Sequence, residues 1–255
     1  MAVDFRVFLF GVFSLIFGAI LFIAGFIWMK QKQTIENIPT SKIRSIAMGL
    51  VEIFGNVIPG KGKILKSPLS NSDCVYYNYK IEEYRRSGKS SHWVTRKHGK
   101  ESVPFYLKDS TGIVLIDPNH AEVDVNRDFI FKSGLGKDPP ETVKKFLQKS
   151  NLRFEGLLGM NKTMRYTEYF IAPNDKLYII GTADDNPYVE EATGQSNVED
   201  IMIQKGKNNP FYYISDNPEK KVLNRFRNKM LLGLIGGPAL SVIGLILVLL
   251  FLGLF

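Results

Sequence analysis

The chain has 255 residues, 45% hydrophobic and 23% charged, and its 33 Lys and Arg against 25 Asp and Glu give a formal net charge of +8. Its single cysteine, Cys74, excludes an intrachain disulfide framework and a cysteine-based zinc site. Charge is missing from Val7 to Met29 and from Met230 to Phe255, which excludes a free cytosolic enzyme.

The first element is the apolar run over residues 7–29. As a helix it is about 34 Å long, enough for a hydrocarbon core of about 30 Å. It exceeds a signal-peptide core, and Lys30-Gln31-Lys32 follows where a cleavage site would lie, so a retained transmembrane helix is expected. Gly11, Gly18 and Gly25 recur every seven residues, with Ser14 nearby.

Period-two patterning then predicts a β domain over residues 45–215. Strands are expected at 47–57 and 74–81, with Val75, Tyr77, Tyr79 and Ile81 on one face of the second. Pro59 to Gly62 forms a turn between them, and residues 85–100 read as a polar, basic loop. Strands at 103–107 and 113–116 flank a turn at Asp109 to Gly112, and a short strand follows at 121–125. One helix is expected near 139–150, capped by Asp138, with Pro139 in first position, Glu141 bonding back, and Val143, Phe146 and Leu147 buried. A hairpin of 164–172 and 176–182 turns at Pro173-Asn174-Asp175. The acidic stretch from Asp184 to Glu191 reads as the least ordered part, and strands at 198–204 and 211–214 close the domain around a turn at 205–209.

Residues 216–229 predict a basic juxtamembrane helix, capped by Asp216 or Asn217 with Pro218 in first position and Glu219 near the positive end of its dipole. Val222, Leu223 and Phe226 share a face, while Lys220, Lys221, Arg225, Arg227 and Lys229 are placed to meet anionic lipid headgroups. A second transmembrane helix follows over 230–255, with Gly233, Gly237 and Ser241 at four-residue spacing and a kink expected at Pro238. The two small-residue stripes suit either a packed hairpin or self-association. Neither span carries an ionisable group, so both read as anchors rather than a transport path. Basic residues flank both spans on the domain side, which predicts a cytoplasmic domain with both termini outside the cell membrane.

The phrases Gly49-Leu-Val-Glu-Ile, Cys74-Val-Tyr-Tyr, Val103-Pro-Phe-Tyr-Leu, Asp109-Ser-Thr-Gly-Ile-Val-Leu-Ile-Asp-Pro118 and Asn209-Pro-Phe-Tyr-Tyr-Ile-Ser215 resemble the GIDE domain. This domain, also called BAM for "beside a membrane", occurs in E3 ubiquitin ligases of the mulan type. The resemblance spans roughly residues 45–222 and agrees with the two-span layout. It implies a link to ubiquitin ligation, whose chemistry in that family belongs to a RING finger. One cysteine cannot furnish a RING, so a RING-less form, as in prokaryotes, is what the resemblance implies here. The phrase from Phe105 to Ile113 also resembles OB-type barrels. The expected fold class is a mainly β (α+β) domain with an OB-like barrel, flanked by two transmembrane helices.

Several side-chain sets carry the residue types of a site. His92 and His98, with Glu101 or Asp109, have metal-ligating types, but Arg96, Lys97 and Lys100 surround them and repel a cation. Cys74 could be a nucleophile only beside a base or positive field, and it lies in an alternating aromatic strand. Asp184, Asp185, Glu190 and Glu191 fit no calcium-loop spacing. The basic set Arg85, Arg86, Arg96, Lys97 and Lys100, with Lys89 and Trp93, could bind a polyanion by charge neutralisation and stacking. No catalytic residue, cofactor or metal is therefore expected. The leading expectation is a membrane-anchored, non-enzymatic scaffold or sensor for a protein partner. A ligase role with a separate subunit comes second, and an OB-like binder of lipid headgroups or nucleic acid third, with nucleic acid disfavoured. Membrane lipids and self-association through the spans complete the expected partners.

Overall fold

The computed structural model describes residues 4–60, 64–156, 159–187, 200–207 and 211–254. The chain runs α1 (Phe5–Asn37), β1 (Gly49–Pro59), β2 (Leu65–Lys66), β3 (Asp73–Cys74), β4 (Tyr76–Ser87), β5 (Ser90–Ser102), β6 (Phe105–Lys108) and β7 (Ile113–Ile116). It continues through β8 (Glu122–Asp124), β9 (Phe129–Ser133), α2 (Glu141–Lys149), β10 (Met164–Ile171) and β11 (Lys176–Asp185). Last come β12 (Ile201–Gln204), β13 (Tyr213–Ser215), α3 (Glu219–Leu231) and α4 (Gly237–Phe251). Two compact units result, Thr40–Asn217 and the paired terminal segments Met1–Pro39 with Pro218–Phe255.

In the central unit, β1, β6, β7, β12 and β11 close into a five-stranded barrel. Every neighbour in the ring is antiparallel except β7 and β12, which run parallel. Counted in chain order, the ring reads 1-2-3-5-4-1, the order of an OB-type barrel. Closure gives every barrel strand two neighbours in the ring. Alternate residues such as Ile53, Phe105, Leu107, Ile116, Ile179 and Ile203 are fully buried in its core.

Two connections of the barrel are long. The first, between β1 and β6, carries β4 and β5; the second, between β7 and β11, carries β9, α2 and β10. These strands join in a four-stranded sheet of order β5-β4-β10-β9. Helix α2 covers one of its faces, burying Val143 and Leu147 with Ile81, Met164 and Tyr166 in a second core. On the opposite face Tyr84, Thr95 and Ile130 are exposed, while Glu82 and Thr167 are buried.

In the terminal unit, α1 packs along α4. A Cβ added to Gly18 would lie 2.6 Å from the Gly237 carbonyl oxygen, and one on Gly237 would lie 2.7 Å from the Phe22 nitrogen, so only glycine permits this approach. The Ser241 hydroxyl donates to the Leu15 carbonyl at 3.3 Å across the pair. The small-residue stripes thus meet each other within one chain, as dispersion-driven packing of apolar helices requires. Elsewhere the apolar surface is open. Only 17% and 11% of the most apolar stretches of the two helices are buried, so they are not core helices of a water-soluble fold. Two helices are long and apolar enough to cross a membrane: α1, and the 33-residue Glu219–Phe251 that runs through α3, the segment after it and α4.

The structure corrects several expectations. Residues 85–100 form the two arms of the β4–β5 hairpin rather than a loop. The turn at Pro173 to Asp175 is present, but β10 pairs with β4 and β9 while β11 pairs with the barrel, so the two strands are not a hairpin. Helix α2 starts at Glu141, because Pro140 disfavours helical geometry at Pro139. The Asp138 carboxylate instead accepts from Lys144 at 2.9 Å and Asn161 at 2.6 Å. Helix α3 likewise begins after Pro218, while Asp216 and Asn217 turn back to bond Asn126. A π-helical segment, Leu232–Gly236, joins α3 to α4 just ahead of Pro238, absorbing the amide bond that proline cannot make. Of the expected features, Lys61, Gly62, Glu190, Glu191, Val198, Glu199, Asn208, Asn209 and Pro210 lie outside the described residues.

Candidate functional site

Gly88, with φ +60°, closes the β4–β5 hairpin, and cross-strand pairing runs from Ser87 opposite Ser90 to Tyr76 opposite Ser102. At Ile81/Glu82 the register shifts, leaving Arg96 as an extra residue on β5. Such a bulge reverses which face later residues occupy. The shift brings Trp93 opposite Tyr84 and Thr95 opposite Glu82, all on the open face.

β10 and β9 complete this face, with Arg165 opposite both Glu82 and Lys132. The Arg165 guanidinium lies 4.5 Å from the Trp93 ring centroid, and the Lys132 ammonium lies 5.8 Å from it. Tyr84 packs against the same indole with ring centroids 5.2 Å apart. Beneath them Glu82 ties the strands together, accepting from Arg165 at 2.7 Å and Lys80 at 2.8 Å. Burial works to raise the Glu82 pKa, but the bonds from Lys80 and Arg165 outweigh it and hold the carboxyl below its ordinary 4.5. The aromatic and cationic groups are therefore held in place before any ligand arrives, while Tyr84 and Ile130 remain 45% and 46% exposed.

The chain matches a family model described as GIDE, E3 Ubiquitin ligase, over residues 76–250. It belongs to the GIDE family. The match takes in the whole four-stranded sheet of this GIDE domain and runs on into α4. Neither curated proteins nor solved structures gave a match.

The GIDE sheet does not gather the five expected polyanion-binding residues on one surface. Arg85 and Arg96 both reach Glu83 at 3.2 Å, on the face toward α2. Lys97 sits 5.7 Å from the Phe146 ring centroid on that same face, whereas Lys100 stands opposite Asn78 and Arg86 opposite Ser91 on the open face. His92 pairs with Arg85 and His98 with Lys80, so the bulge sends the two imidazoles to opposite faces. Asp109 caps its turn through Ile43, Thr111 and Gly112, and Glu101 accepts from the Tyr77 hydroxyl at 2.6 Å. Among the described residues, no group of three His, Cys, Asp or Glu side chains converges as a metal site.

Cys74 is fully buried, and burial, aided by the Glu168 and Asp73 carboxylates, pushes its thiol up to about 12. That environment suppresses the thiolate that a nucleophile needs. Asp184 accepts from Gln204 at 3.4 Å and caps the Asp185 nitrogen. On α3, Lys220, Lys221, Arg227 and Lys229 are exposed and Arg225 is half-buried, with Val222 and Phe226 buried. Glu82, Tyr84, Lys132 and Arg165 had no place in the sequence reading of the site. The symmetric spacing of Tyr84 and Trp93 about the Ser87-Gly88-Lys89-Ser90 turn was the available signal.

Proposed function

We propose that this GIDE domain is a membrane-anchored, non-enzymatic scaffold that docks a protein partner on the open face of its four-stranded sheet. The observation that carries this reading is the Trp93, Tyr84 and Arg165 cluster, fixed by Glu82, with Trp93 and Arg165 half-buried and Tyr84 exposed at its rim. Tryptophan, tyrosine and arginine dominate the energetics of protein interfaces, and rigid anchors lose little entropy on binding. The family's link to E3 ligases fits a docking role, with any transfer chemistry on a separate subunit. The apolar exposure of α1 and α4 supports a bilayer around them, and the basic residues beside both helices support a cytoplasmic domain. The cations of α3 then face anionic headgroups, each contributing about 1 kcal/mol.

Photo-cross-linking in native membranes tests the proposal. A photoreactive residue at Thr95 or Ile130, on the open face, should yield discrete protein adducts that weaken with Trp93→Ala. The same residue at Phe54, exposed on barrel strand β1, should not. Identical adducts from all three positions, or adducts indifferent to Trp93→Ala, would refute it.

A further inference from the structure

Among the described residues, the outer edge of β5 is free. This strand is 13 residues long, pairs among them only with β4, and has no buried residue. Among the described residues, no backbone group outside the sheet bonds to it, the neighbouring bond from Val103 to Val75 lying just past its end. Beyond Tyr84, whose N–H reaches the Thr163 carbonyl at 2.8 Å, the hairpin projects as a two-stranded ribbon. Such a ribbon is marginally stable alone and gains order from a further strand.

The edge also has a sign. Lys89, His92, Arg96, Lys97, His98 and Lys100 line it against one acid, Glu101. Arg96 is taken by Glu83, but among the described residues Lys89, Lys97 and Lys100 meet no carboxylate at ion-pair distance. A basic edge rejects neutral and basic strands, which is how sheet edges avoid aggregation, and it selects an acidic one.

We propose that the β5 edge receives an extended acidic segment of the partner protein as a fifth strand of this sheet. The inference rests on the scaffold reading and names the mode and chemistry of the docking. Backbone bonds along the edge supply affinity, and a lysine on either face, Lys97 or Lys100, reads the acidic side chains that fall on that face. A polyphosphate chain fits less well. Glu82, Glu83 and Glu101 interleave the cations, and Arg165 covers the Trp93 ring that would otherwise stack a base.

The test uses the full chain in nanodiscs of neutral phosphatidylcholine and a short fluorescent peptide of alternating Glu and Val. The peptide should bind, and its Lys–Val counterpart should not. An edge strand bonds through one side only, so methylating the amide nitrogens of either the Glu or the Val residues should weaken binding at least about tenfold for one of the two sets. The double variant Lys97→Glu with Lys100→Glu should abolish binding, and Lys100→Glu alone should weaken it while leaving the unfolding temperature unchanged. Failure of the Glu–Val peptide to bind, equal binding of both methylated forms, or equal competition by oligothymidylate would overturn the proposal. Adducts at Thr95 that persist despite such a failure would keep the scaffold reading and remove only this one.

Discussion

Glu168 offers the sharpest energetic prediction. Its carboxylate is fully buried on β10 and holds the loop between β2 and β3. One oxygen accepts from the Leu69 nitrogen at 2.8 Å, and the other accepts from the Ser70 nitrogen at 3.0 Å and the Ser70 hydroxyl at 2.6 Å. These bonds seat Leu69, itself fully buried, in the core beneath the sheet. Glu168→Ala leaves two backbone N–H groups without an acceptor, at about 1–3 kcal/mol each, for a total of about 3–5 kcal/mol. At about 2–4 °C per kcal/mol for a domain of this size, the unfolding temperature should fall by roughly 10 °C. Glu168→Gln keeps one acceptor oxygen but turns an amide donor toward Ser70, so it should fall by about half as much. Trp93 fluorescence during heating in detergent, in a Trp28→Phe background, reports the transition. A drop below about 2 °C for the alanine variant, or equal drops for both variants, would refute the latch.

Three further outcomes follow. Gly237→Leu should separate the two apolar helices at a cost of about 1–3 kcal/mol, because even its Cβ would press on the Phe22 nitrogen and the Gly18 oxygen. Bis-maleimide bridging of Phe8→Cys with Phe251→Cys, whose rings lie 4.8 Å apart, should then decline. Glu82 has a folded pKa below its ordinary 4.5, so it stabilises the sheet above that value and loses the contribution as pH falls through the folded value. Heating the protein between about pH 5 and pH 3 should show a shallower acid loss in Glu82→Gln than in the wild type. Cys74, with its thiol pushed up to about 12, should resist maleimide at neutral pH and react only on unfolding.

Local patterns made several barrel strands legible, while the barrel itself was expected from the resemblance of the Phe105 to Ile113 phrase. Alternating apolar residues marked β1 near 47–57, the return strand β7 matched its expected 113–116, and the Asp109 to Gly112 turn declared the β6–β7 hairpin. The open face was not legible, because it is assembled by pairing between distant segments. Trp93 comes from one long barrel connection and Arg165 from another, and no local period encodes their meeting. Charge on both faces of β4 beyond Ile81 and of β5 also hid their alternation, and the bulge at Arg96 broke what remained. The consecutive prolines 139 and 140 shifted the start of α2 in a way that cap residues alone do not reveal. The span stripes suited a packed hairpin or self-association, and Gly18 packs against Gly237 within the one chain.

The most direct measurement asks which side of a bilayer bears the sheet. Thr95→Cys places a reactive thiol on the exposed face, and buried Cys74 leaves the unmodified chain as an unlabelled control. A membrane-impermeant maleimide should label it only after the cells are opened, with the protein retained in carbonate-washed membranes. Labelling in intact cells, or release into the aqueous wash, would contradict a cytoplasmic platform held by two crossing helices.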